Sequence, residues 1–341
     1  MFCNLGISQY ICISNLNLFS YLICGIDCIM VKVFLKNCLL FSLFPMLLVV
    51  LFEIVVRQLP NPYTDKFEWM EDNAHDVETI ILGNSHAMYG INPDLMDGKT
   101  YNLAFESQVP AYDYYLLNNF AKDYKKLKTV ILPISYFTFF QRFEDMPSWW
   151  KSRYYHLYMD CDFHPYSLFY NFEIGHYPSA LEKAGAFVEK LIEEKDLRLV
   201  DDTGWSFVYS FSERDTSMIS NMENVQTIIK RHVSEDWTYV DEIVSSVNNI
   251  VKFCRARKID LILITTPTWK SYYENLPPKQ YERMHQLIDS ICTKNNLPYL
   301  DYLKDDRFGY DDFYDCDHLN NIGAEKFTKI LNHDIRSLKN K

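Results

Sequence analysis

An unbroken apolar segment near the N-terminus limits what this chain can fold into more than any other feature. Residues 39–56 read LLFSLFPMLLVVLFEIVV, and Glu53 is their only charged residue. Extended back to Phe34, the segment reaches the length of about 20 residues that a helix needs to cross a bilayer. No small-residue cleavage site follows the apolar run. The sequence therefore predicts an uncleaved transmembrane helix over residues 34–58.

The charges on either side of this span predict its orientation. Lys32 and Lys36 precede it, whereas Arg57 is soon followed by a mostly acidic stretch. Lys and Arg are enriched on the cytoplasmic side of membrane proteins. We therefore expect a single-pass protein of the cell membrane, with residues 1–33 inside the cell and the remaining domain outside the membrane.

The first residues differ in character from the span that follows. Residues 1–29 contain four cysteines and one acidic residue, whereas the stretch from Met30 begins like an ordinary bacterial anchor. We therefore hypothesise that the natural start is Met30 and that residues 1–29 come from a wrongly placed start codon. The alternative is a second short apolar helix over residues 16–30, forming a hairpin with the span.

Net charge and cysteine spacing exclude several classes of protein. The chain has 34 basic and 45 acidic residues, a formal net charge of −11. Nucleic-acid binding needs a basic face, so no nucleic-acid partner is predicted. The nine cysteines include no CxxC pair. Neither a zinc knuckle nor a disulfide framework is therefore predicted, and the sequence indicates no metal and no cofactor.

The rest of the chain alternates between short apolar runs and helical patterns. Strands are predicted at residues 77–82, 101–104, 129–134, 260–265 and 298–300, with helices after most of them. This alternation predicts an α/β domain over residues 77–341, with a parallel sheet covered on both faces by helices. Residues 59–76 are polar and are predicted to be a linker, and the aromatic-rich residues from about 140 to 235 are predicted to be an insertion.

Ser85 directly follows the first predicted strand, in the sequence Gly-Asn-Ser-His. Ligands bind beyond the carboxyl ends of parallel strands, so Ser85 is predicted to face a crevice. A serine hydroxyl needs a base to take its proton. His318 lies at the same edge of the predicted sheet, and a turn can bring Asp315, three residues earlier, onto its imidazole. His86 is expected to pack locally.

Each of these residues also has a simpler interpretation. A serine at a strand-to-helix turn is commonly a helix N-cap. Asp315, Asp317 and His318 contain the ligand types of a metal site.

The sequence around these residues resembles a known family. GNSHAMYGINPDLM (residues 83–96) is similar to the first conserved block of the SGNH, or GDSL-like, hydrolases, and FYDCDHLNNIGAEKF (residues 313–327) is similar to their last block. The resemblance implies a flavodoxin-like three-layer sandwich. It also implies Ser85 as nucleophile, His318 as general base and then acid, and Asp315 as the residue that orients it. Asp317 is next to His318, which is poor geometry for orienting the ring.

The middle blocks depart from the family pattern. The family takes one oxyanion donor from a glycine N–H in the second block and another from an Asn in the third. Here Glu106 or Ser107 stands in place of the glycine, and Ser135 is the candidate donor in the third block. Any residue except proline has a backbone N–H. The oxyanion candidates are therefore Ser85, Ser107 and Ser135, and since losing one donor typically lowers the rate about a hundredfold or more, a slow or specialised activity is expected.

The anchor, the outward domain and the altered third block together resemble membrane-anchored proteins of bacterial envelope-polymer modification. The resemblance implies a serine esterase or O-acyltransferase that acts on acyl groups, such as acetyl, of cell-envelope polysaccharide or similar alcohols. It also implies a multipass membrane acyltransferase as a partner. Two alternatives stay open: a non-catalytic SGNH-like partner that binds acyl donor or glycan, and a metal-dependent phosphoesterase using Asp315, Asp317 and His318.

Overall fold

The computed structural model of the chain describes residues 6–194 and 197–339, with side chains from residue 30 onward. It divides into two compact units, Met1–Gln58 and Leu59–Lys341. The first unit contains one continuous helix, α1 (Gly6–Arg57). Because α1 runs without a break through residues 16–30, the alternative of a hairpin there was wrong. The hypothesis of a start at Met30 concerns residues whose side chains lie outside the described part of the chain.

Part of α1 has the length and composition of a membrane span. Met30–Arg57 contains an 18-residue apolar window, and its large apolar side chains are mostly exposed. Apart from Gln58, the predicted span of residues 34–58 lies within this stretch. Pro45 lies inside the helix, as is tolerated in transmembrane helices.

The second unit begins with a helix where the sequence predicted a linker. In α2 (Pro62–Asn73), the Asn61 side chain caps the first turn and Pro62 occupies its first position. The buried residues recur at helical spacing, and the apolar ones join the domain core: Tyr63, Phe67 and Met70. Lys66 is also buried, and its ammonium donates to the Ala104 carbonyl. The linker prediction for residues 59–76 was therefore wrong over this helix, because its many polar residues concealed an apolar face.

Five parallel strands form the sheet of the domain, in the order β2-β1-β3-β4-β5. This is the strand order of flavodoxin-like folds. Ile80 pairs with Tyr101 on one side and with Val130 on the other, and Ile131 pairs with Ile262. The strands are β1 (Thr79–Ile81), β2 (Thr100–Asn102), β3 (Thr129–Pro133), β4 (Asp260–Ile264) and β5 (Tyr299–Leu300).

Helices cover both faces of this sheet. In chain order after α2 they are α3 (Ser85–Gly90), α4 (Pro110–Asn119), α5 (Ser152–Tyr158), α6 (Leu168–Asn171), α7 (Tyr177–Ile192), α8 (Ser217–Ser220), α9 (Met222–His232), α10 (Val240–Arg257), α11 (Lys270–Tyr273), α12 (Pro278–Asn295) and α13 (Asn321–Lys339). Single 3-10 turns lie at Pro93–Leu95, Phe143–Asp145, Trp149–Lys151, Glu173–His176, Phe211–Glu213 and Tyr310–Asp312.

The core is split by the sheet because successive strand residues point to opposite faces. Ile80 and Val130 pack in a cluster with residues of α4, α10 and α12. Ile81 and Ile131 pack in a second cluster with residues of α3 and α13. The domain is therefore an α/β sandwich of three layers, which confirms the predicted fold class. Between β3 and α10, the described residues 134–194 and 197–239 form helices α5–α9 and no strand.

Candidate active site

The turn between β1 and α3 presents Ser85. Gly83 adopts a φ of +104°, a conformation that side chains rarely allow, and a Cβ there would lie 3.2 Å from Cδ of Pro133. Its N–H donates to Oδ1 of Asp113 at 2.7 Å. Asn84 is the N-cap of α3, since its side chain accepts from the His86 N–H. The N-cap interpretation of Ser85 was therefore wrong, because Asn84 caps the helix. The hydroxyl of Ser85 is not used as a cap.

Ser85, His318 and Asp315 meet at the carboxyl edge of the sheet. Nε2 of His318 lies 2.9 Å from Oγ of Ser85. Nδ1 of His318 lies 3.0 Å from each carboxylate oxygen of Asp315. Oδ1 of Asp315 also accepts the backbone N–H of His318 at 2.7 Å. The structure thus brings the three predicted residues together in the order that nucleophilic catalysis by serine requires.

Asn320 and Gly323 explain why the chain turns in this way before α13. Oδ1 of Asn320 accepts the N–H groups of Ile322 and Gly323, while its Nδ2 donates to the Asp311 and Phe313 carbonyls. Gly323 lies against the Asp312 carbonyl, where a side chain does not fit. The Asn and Gly of the His-Leu-Asn-x-x-Gly sequence therefore fix the conformation of the loop that carries His318.

The surroundings of His318 raise the pKa of its imidazole and so favour its protonated form. Burial by itself lowers the pKa of a histidine, but the carboxylates of Asp315 and Asp317 outweigh it and raise the pKa of His318 well above its usual value. Oδ1 of Asp317 lies 3.4 Å from Nδ1 of His318, farther than either oxygen of Asp315. This agrees with the prediction that Asp315 orients the ring. An imidazole with a raised pKa is a stronger base, available only above that pKa.

His86 does more than pack locally, so that expectation was wrong. Its Nε2 lies 2.9 Å from Oδ2 of Asp317, and its Nδ1 lies 2.9 Å from Oγ of Ser135. The Ser135 hydroxyl also lies 2.9 Å from Nδ2 of Asn84. A second, buried Ser-His-Asp chain therefore runs beside the first one, and its histidine is adjacent in sequence to Ser85.

This second chain corrects the prediction that Ser135 is an oxyanion donor. Ser135 is buried, its hydroxyl is bonded to His86 and Asn84, and its backbone N–H donates to Oγ1 of Thr138 at 2.8 Å. It is not among the residues that line the cleft over Ser85. The Ser135 side chain therefore does not replace the oxyanion donor that the family pattern takes from an Asn in its third block.

A cleft of about 240 Å³ opens over Ser85. Its walls come from the turn after β1, the loop after β2, the segment between β3 and α10, and the loop before α13; the residues concerned are Ser85, Glu106, Ser107, Phe137, Gln141, Met146, Pro147, Ser148, Lys151, Tyr209, Arg231, His232 and His318. The predicted insertion thus supplies most of the wall. Glu106, one of these residues, accepts from the Tyr89 hydroxyl and pairs with Lys151.

Two backbone N–H groups, those of Ser85 and Ser107, remain as candidate oxyanion donors. Ser85 begins α3 and Ser107 lies in the same cleft. Within the described part of the chain, neither amide N–H has a hydrogen-bond acceptor. Ser107 has a φ of +59°, in the left-handed region where glycine is favoured. Of Glu106 and Ser107, the two residues predicted to stand in place of a glycine, Ser107 is the one with this conformation.

His232 belongs to the site although sequence reasoning missed it. It ends α9 inside the predicted insertion, lines the cleft, and has its Nδ1 2.8 Å from the Tyr272 hydroxyl and 3.8 Å from Oδ2 of Asp317. Burial lowers its pKa to about 3, so it stays neutral. Nothing in its immediate sequence indicates this role, because its partners lie about 40 and 85 residues farther along the chain.

Three residues have potential metal-ligand atoms within 4.8 Å of one another: His86, Asp317 and His318. Both nitrogens of each imidazole already face a partner, His318 between Ser85 and Asp315 and His86 between Ser135 and Asp317. A metal ligand would have to give up one of these bonds. The donor set therefore fits a hydrogen-bonded network better than a metal site, against the metal alternative for Asp315, Asp317 and His318.

No family model and no curated protein matches this sequence. The solved structures that resemble this chain include two that match it over most of its length. A protein described as an acylhydrolase from Bacteroides fragilis is 12% identical, with 79% of this chain and 95% of that chain covered and a TM-score of 0.39. A GDSL-like lipase from Bacteroides thetaiotaomicron is 10% identical, with 81% of this chain and 99% of that chain covered and a TM-score of 0.40.

Proposed function

We propose that the chain is a serine-dependent acyl hydrolase or acyltransferase of the SGNH type, with Ser85 as its nucleophile. The observation that carries the proposal is the hydrogen-bonded chain from Ser85 through His318 to Asp315. These contacts suit the tautomer in which Nδ1–H of His318 donates to Asp315 and Nε2 accepts the proton of Ser85. The cleft leaves Ser85 reachable from solvent.

The reaction begins when Oγ of Ser85 attacks the carbonyl carbon of an ester and Nε2 of His318 takes its proton. The oxyanion of the tetrahedral intermediate accepts from the backbone N–H groups of Ser85 and Ser107. Collapse breaks the ester bond, and the leaving alcohol takes the proton from Nε2. Water or a sugar hydroxyl then attacks the acyl-serine, with His318 again acting as base, and the acyl group leaves on that oxygen while Ser85 regains its proton.

We assign the substrate to acylated, particularly acetylated, carbohydrate of the cell envelope. An apolar stretch at Met30–Arg57 supports single-pass anchoring. Lys32 and Lys36 before the span favour the orientation that we propose, with the domain outside the cell. Tyr209 lines the cleft and supports a carbohydrate through its polar edge. Both faces of its ring are covered, because it is stacked between Tyr89 and Tyr314 at 3.8 Å and 4.0 Å between centroids. A multipass membrane acyltransferase is the proposed partner.

The test compares ester hydrolysis by the full chain in detergent with that of two variants. We expect the hydrolysis of p-nitrophenyl acetate by Ser85→Ala and His318→Ala to fall by about a thousandfold or more. Ser212→Ala and His333→Ala change exposed residues of the same types and serve as matched controls. Equal rates in the wild type and the two site variants would contradict the proposal. Loss of activity on addition of EDTA would favour the metal alternative.

One observation favours a second candidate, a non-catalytic partner that binds acyl donor or glycan. The side chain of Ser135 is engaged within the domain, so the two backbone N–H groups of Ser85 and Ser107 are the oxyanion donors that this site offers. If the wild type binds acetylated glycan but neither hydrolyses esters nor reacts with a fluorophosphonate probe, this candidate replaces the first.

A further inference from the structure

The carboxylate of Asp317 lies between three imidazole rings. Its Oδ2 is 2.9 Å from Nε2 of His86 and 3.8 Å from Nδ1 of His232, and its Oδ1 is 3.4 Å from Nδ1 of His318. Only 1% of its surface is exposed. The proposed catalytic step uses Ser85, His318 and Asp315, so it assigns no role to the buried carboxylate of Asp317.

The buried Ser135–His86–Asp317 chain is too enclosed to react with substrate. Ser135 is 4% exposed and His86 is 5% exposed. Its hydrogen bonds can all run in one direction: Nδ2 of Asn84 donates to Oγ of Ser135, that hydroxyl donates to Nδ1 of His86, and Nε2–H of His86 donates to Asp317, each at 2.9 Å. The last donor of this chain, Nε2–H of His86, therefore bonds to the carboxylate of Asp317, which lies beside His318.

This chain also joins the two halves of the site. Asn84 is the residue before the nucleophile, and Asp317 is the residue before the base. His86 and Asp317 are 231 positions apart in sequence, and Ser135 is supplied by the end of a third segment, just after β3. The His86–Asp317 hydrogen bond therefore ties the turn that carries Ser85 directly to the loop that carries His318.

We propose that Asp317 is a second carboxylate acting on His318, and that His86 and Ser135 are positioning residues that hold it there. This inference rests on the proposed function. When His318 takes the proton of Ser85 it becomes an imidazolium, and two anions near Nδ1 then stabilise that cation instead of one. Asp315 lies closer and fixes the ring, while Asp317 adds charge from the buried side.

The charges around Asp317 support this role. Burial opposes its ionisation, but the neighbouring imidazoles of His318 and His86 hold the pKa of Asp317 well below its usual range. Burial lowers the pKa values of His86 and His232, so neither of these rings neutralises Asp317 by taking a proton. The remaining titratable or charged groups that face this network are Asp315, Cys316, Tyr209, Tyr272 and Arg231.

The sign of the expected pH effect follows from the base. An unprotonated His318 is required, so the rate of attack by Ser85 rises as pH rises through the pKa of His318, which its two carboxylates raise. Asp317→Asn keeps an oxygen that accepts from His86 and removes the negative charge. The pKa of His318 then falls. The rise of the rate with pH, which is the acid limb of the pH profile, therefore moves to lower pH. An opposite charge within about 4–6 Å typically shifts a pKa by 1–3 units.

The test measures the rate at which a fluorophosphonate probe labels Ser85 in the full chain, from acid to alkaline pH. For Asp317→Asn we expect the acid limb to move down by about one pH unit or more, with a lower plateau above it. Asp311→Asn, a change in an exposed residue a few positions earlier, is the control and keeps the wild-type limb. An unshifted limb in Asp317→Asn, with labelling still specific for Ser85, would overturn the inference.

A second pair of variants tests the positioning role without touching either carboxylate. His86→Gln retains an N–H that can reach Asp317, whereas His86→Leu does not. We expect the plateau labelling rate of the Gln variant to exceed that of the Leu variant by about tenfold, the effect of one charge-assisted hydrogen bond. Equal rates would show that His86 has no positioning role. Absence of labelling at Ser85 in the wild type would instead contradict the proposed function itself.

Discussion

At residue scale, Ser107 occupies a backbone conformation that L-residues adopt at an energetic disadvantage. Its φ of +59° lies in the left-handed region, and its hydroxyl bonds to that of Ser148 at 2.5 Å. Strained backbone of this kind is concentrated at functional sites. Here the conformation accompanies a backbone N–H that is left without an acceptor in the described structure, which is the group proposed to bind the oxyanion.

Ser107→Gly and Ser107→Ala separate the backbone from the side chain. Both variants lose the hydroxyl and keep the N–H, but only glycine adopts a positive φ without a steric penalty. We expect the Gly variant to be more stable than the Ala variant by about 1 kcal/mol, with similar labelling of Ser85 by a fluorophosphonate probe. Thermal unfolding in detergent measures the difference. An Ala variant as stable as the Gly variant would contradict the left-handed conformation at this position.

The site residues differ in how visible they were in the sequence. Ser85, Asp315 and His318 stood out because local segments carry them: a strand followed by Gly-Asn-Ser, and an Asp three positions before a His. The roles of His86 and Ser135 were missed because their hydrogen bonds join residues 49 and 231 positions apart. Such distances are set by the packing of the sheet and its helices, and no local pattern encodes them.

At the scale of elements, α4 holds the turn that carries Ser85, the proposed nucleophile. Asp113 projects from its first turn, where its Oδ1 accepts the N–H of Gly83 at 2.7 Å and Nε2 of Gln108 at 2.6 Å. Burial raises the pKa of Asp113 to about 7, although both of these donors act to lower it. The helix therefore fixes the turn before Ser85 through a carboxyl group that holds its proton in the folded domain at acid pH.

This raised pKa makes the stability of the domain depend on pH. Asp113 has a higher pKa in the folded chain than in the unfolded chain, where it is near 3.8. The stabilisation is complete below about pH 4 and is lost as pH rises to about 7. Asp113→Asn keeps the acceptor for Gly83 and removes this dependence, so its melting temperature should change less between about pH 4.5 and about pH 7.5. Parallel pH profiles for wild type and variant would contradict this explanation.

The strands of the sheet could be predicted from the sequence, whereas α2 could not, because their patterns of apolar and charged residues differ. The central strands β1, β3 and β4 are largely apolar and buried on both faces, which is the pattern expected of a parallel sheet covered by helices. In α2 the buried positions are separated by charged residues, and one of the buried side chains is Lys66. Its ammonium lies 4.6 Å from the centroid of the Phe105 ring and donates to the Ala104 carbonyl. The polar composition of residues 62–73 therefore indicated that this segment is exposed to solvent.

At the scale of the whole molecule, the chain combines a helix with the properties of a membrane span and a domain that carries the hydrogen-bonded Ser85, His318 and Asp315. The two units are Met1–Gln58 and Leu59–Lys341, and every residue of the candidate site belongs to the second. The exposed side chains of Met30–Arg57 are almost all apolar. Exposed apolar surface of this extent is unfavourable in water and favourable in a bilayer.

We therefore expect the full chain to stay in the membrane fraction after a wash at alkaline pH. A chain that begins at Leu59 lacks the apolar helix and is expected in the soluble fraction, with Ser85 still labelled by a fluorophosphonate probe. The second unit has its own core on both faces of the sheet, which gives the physical reason. Release of the full chain by the wash would contradict anchoring through Met30–Arg57.

The most direct test of the central claim identifies the residue that reacts. The full chain is treated with a fluorophosphonate probe, digested, and mapped by mass spectrometry, in wild type and in His318→Ala. We predict an adduct on the peptide that contains Ser85 in the wild type and its near-complete loss in the variant. No adduct in the wild type, an adduct on buried Ser135, or equal labelling of both proteins would contradict Ser85 as the nucleophile.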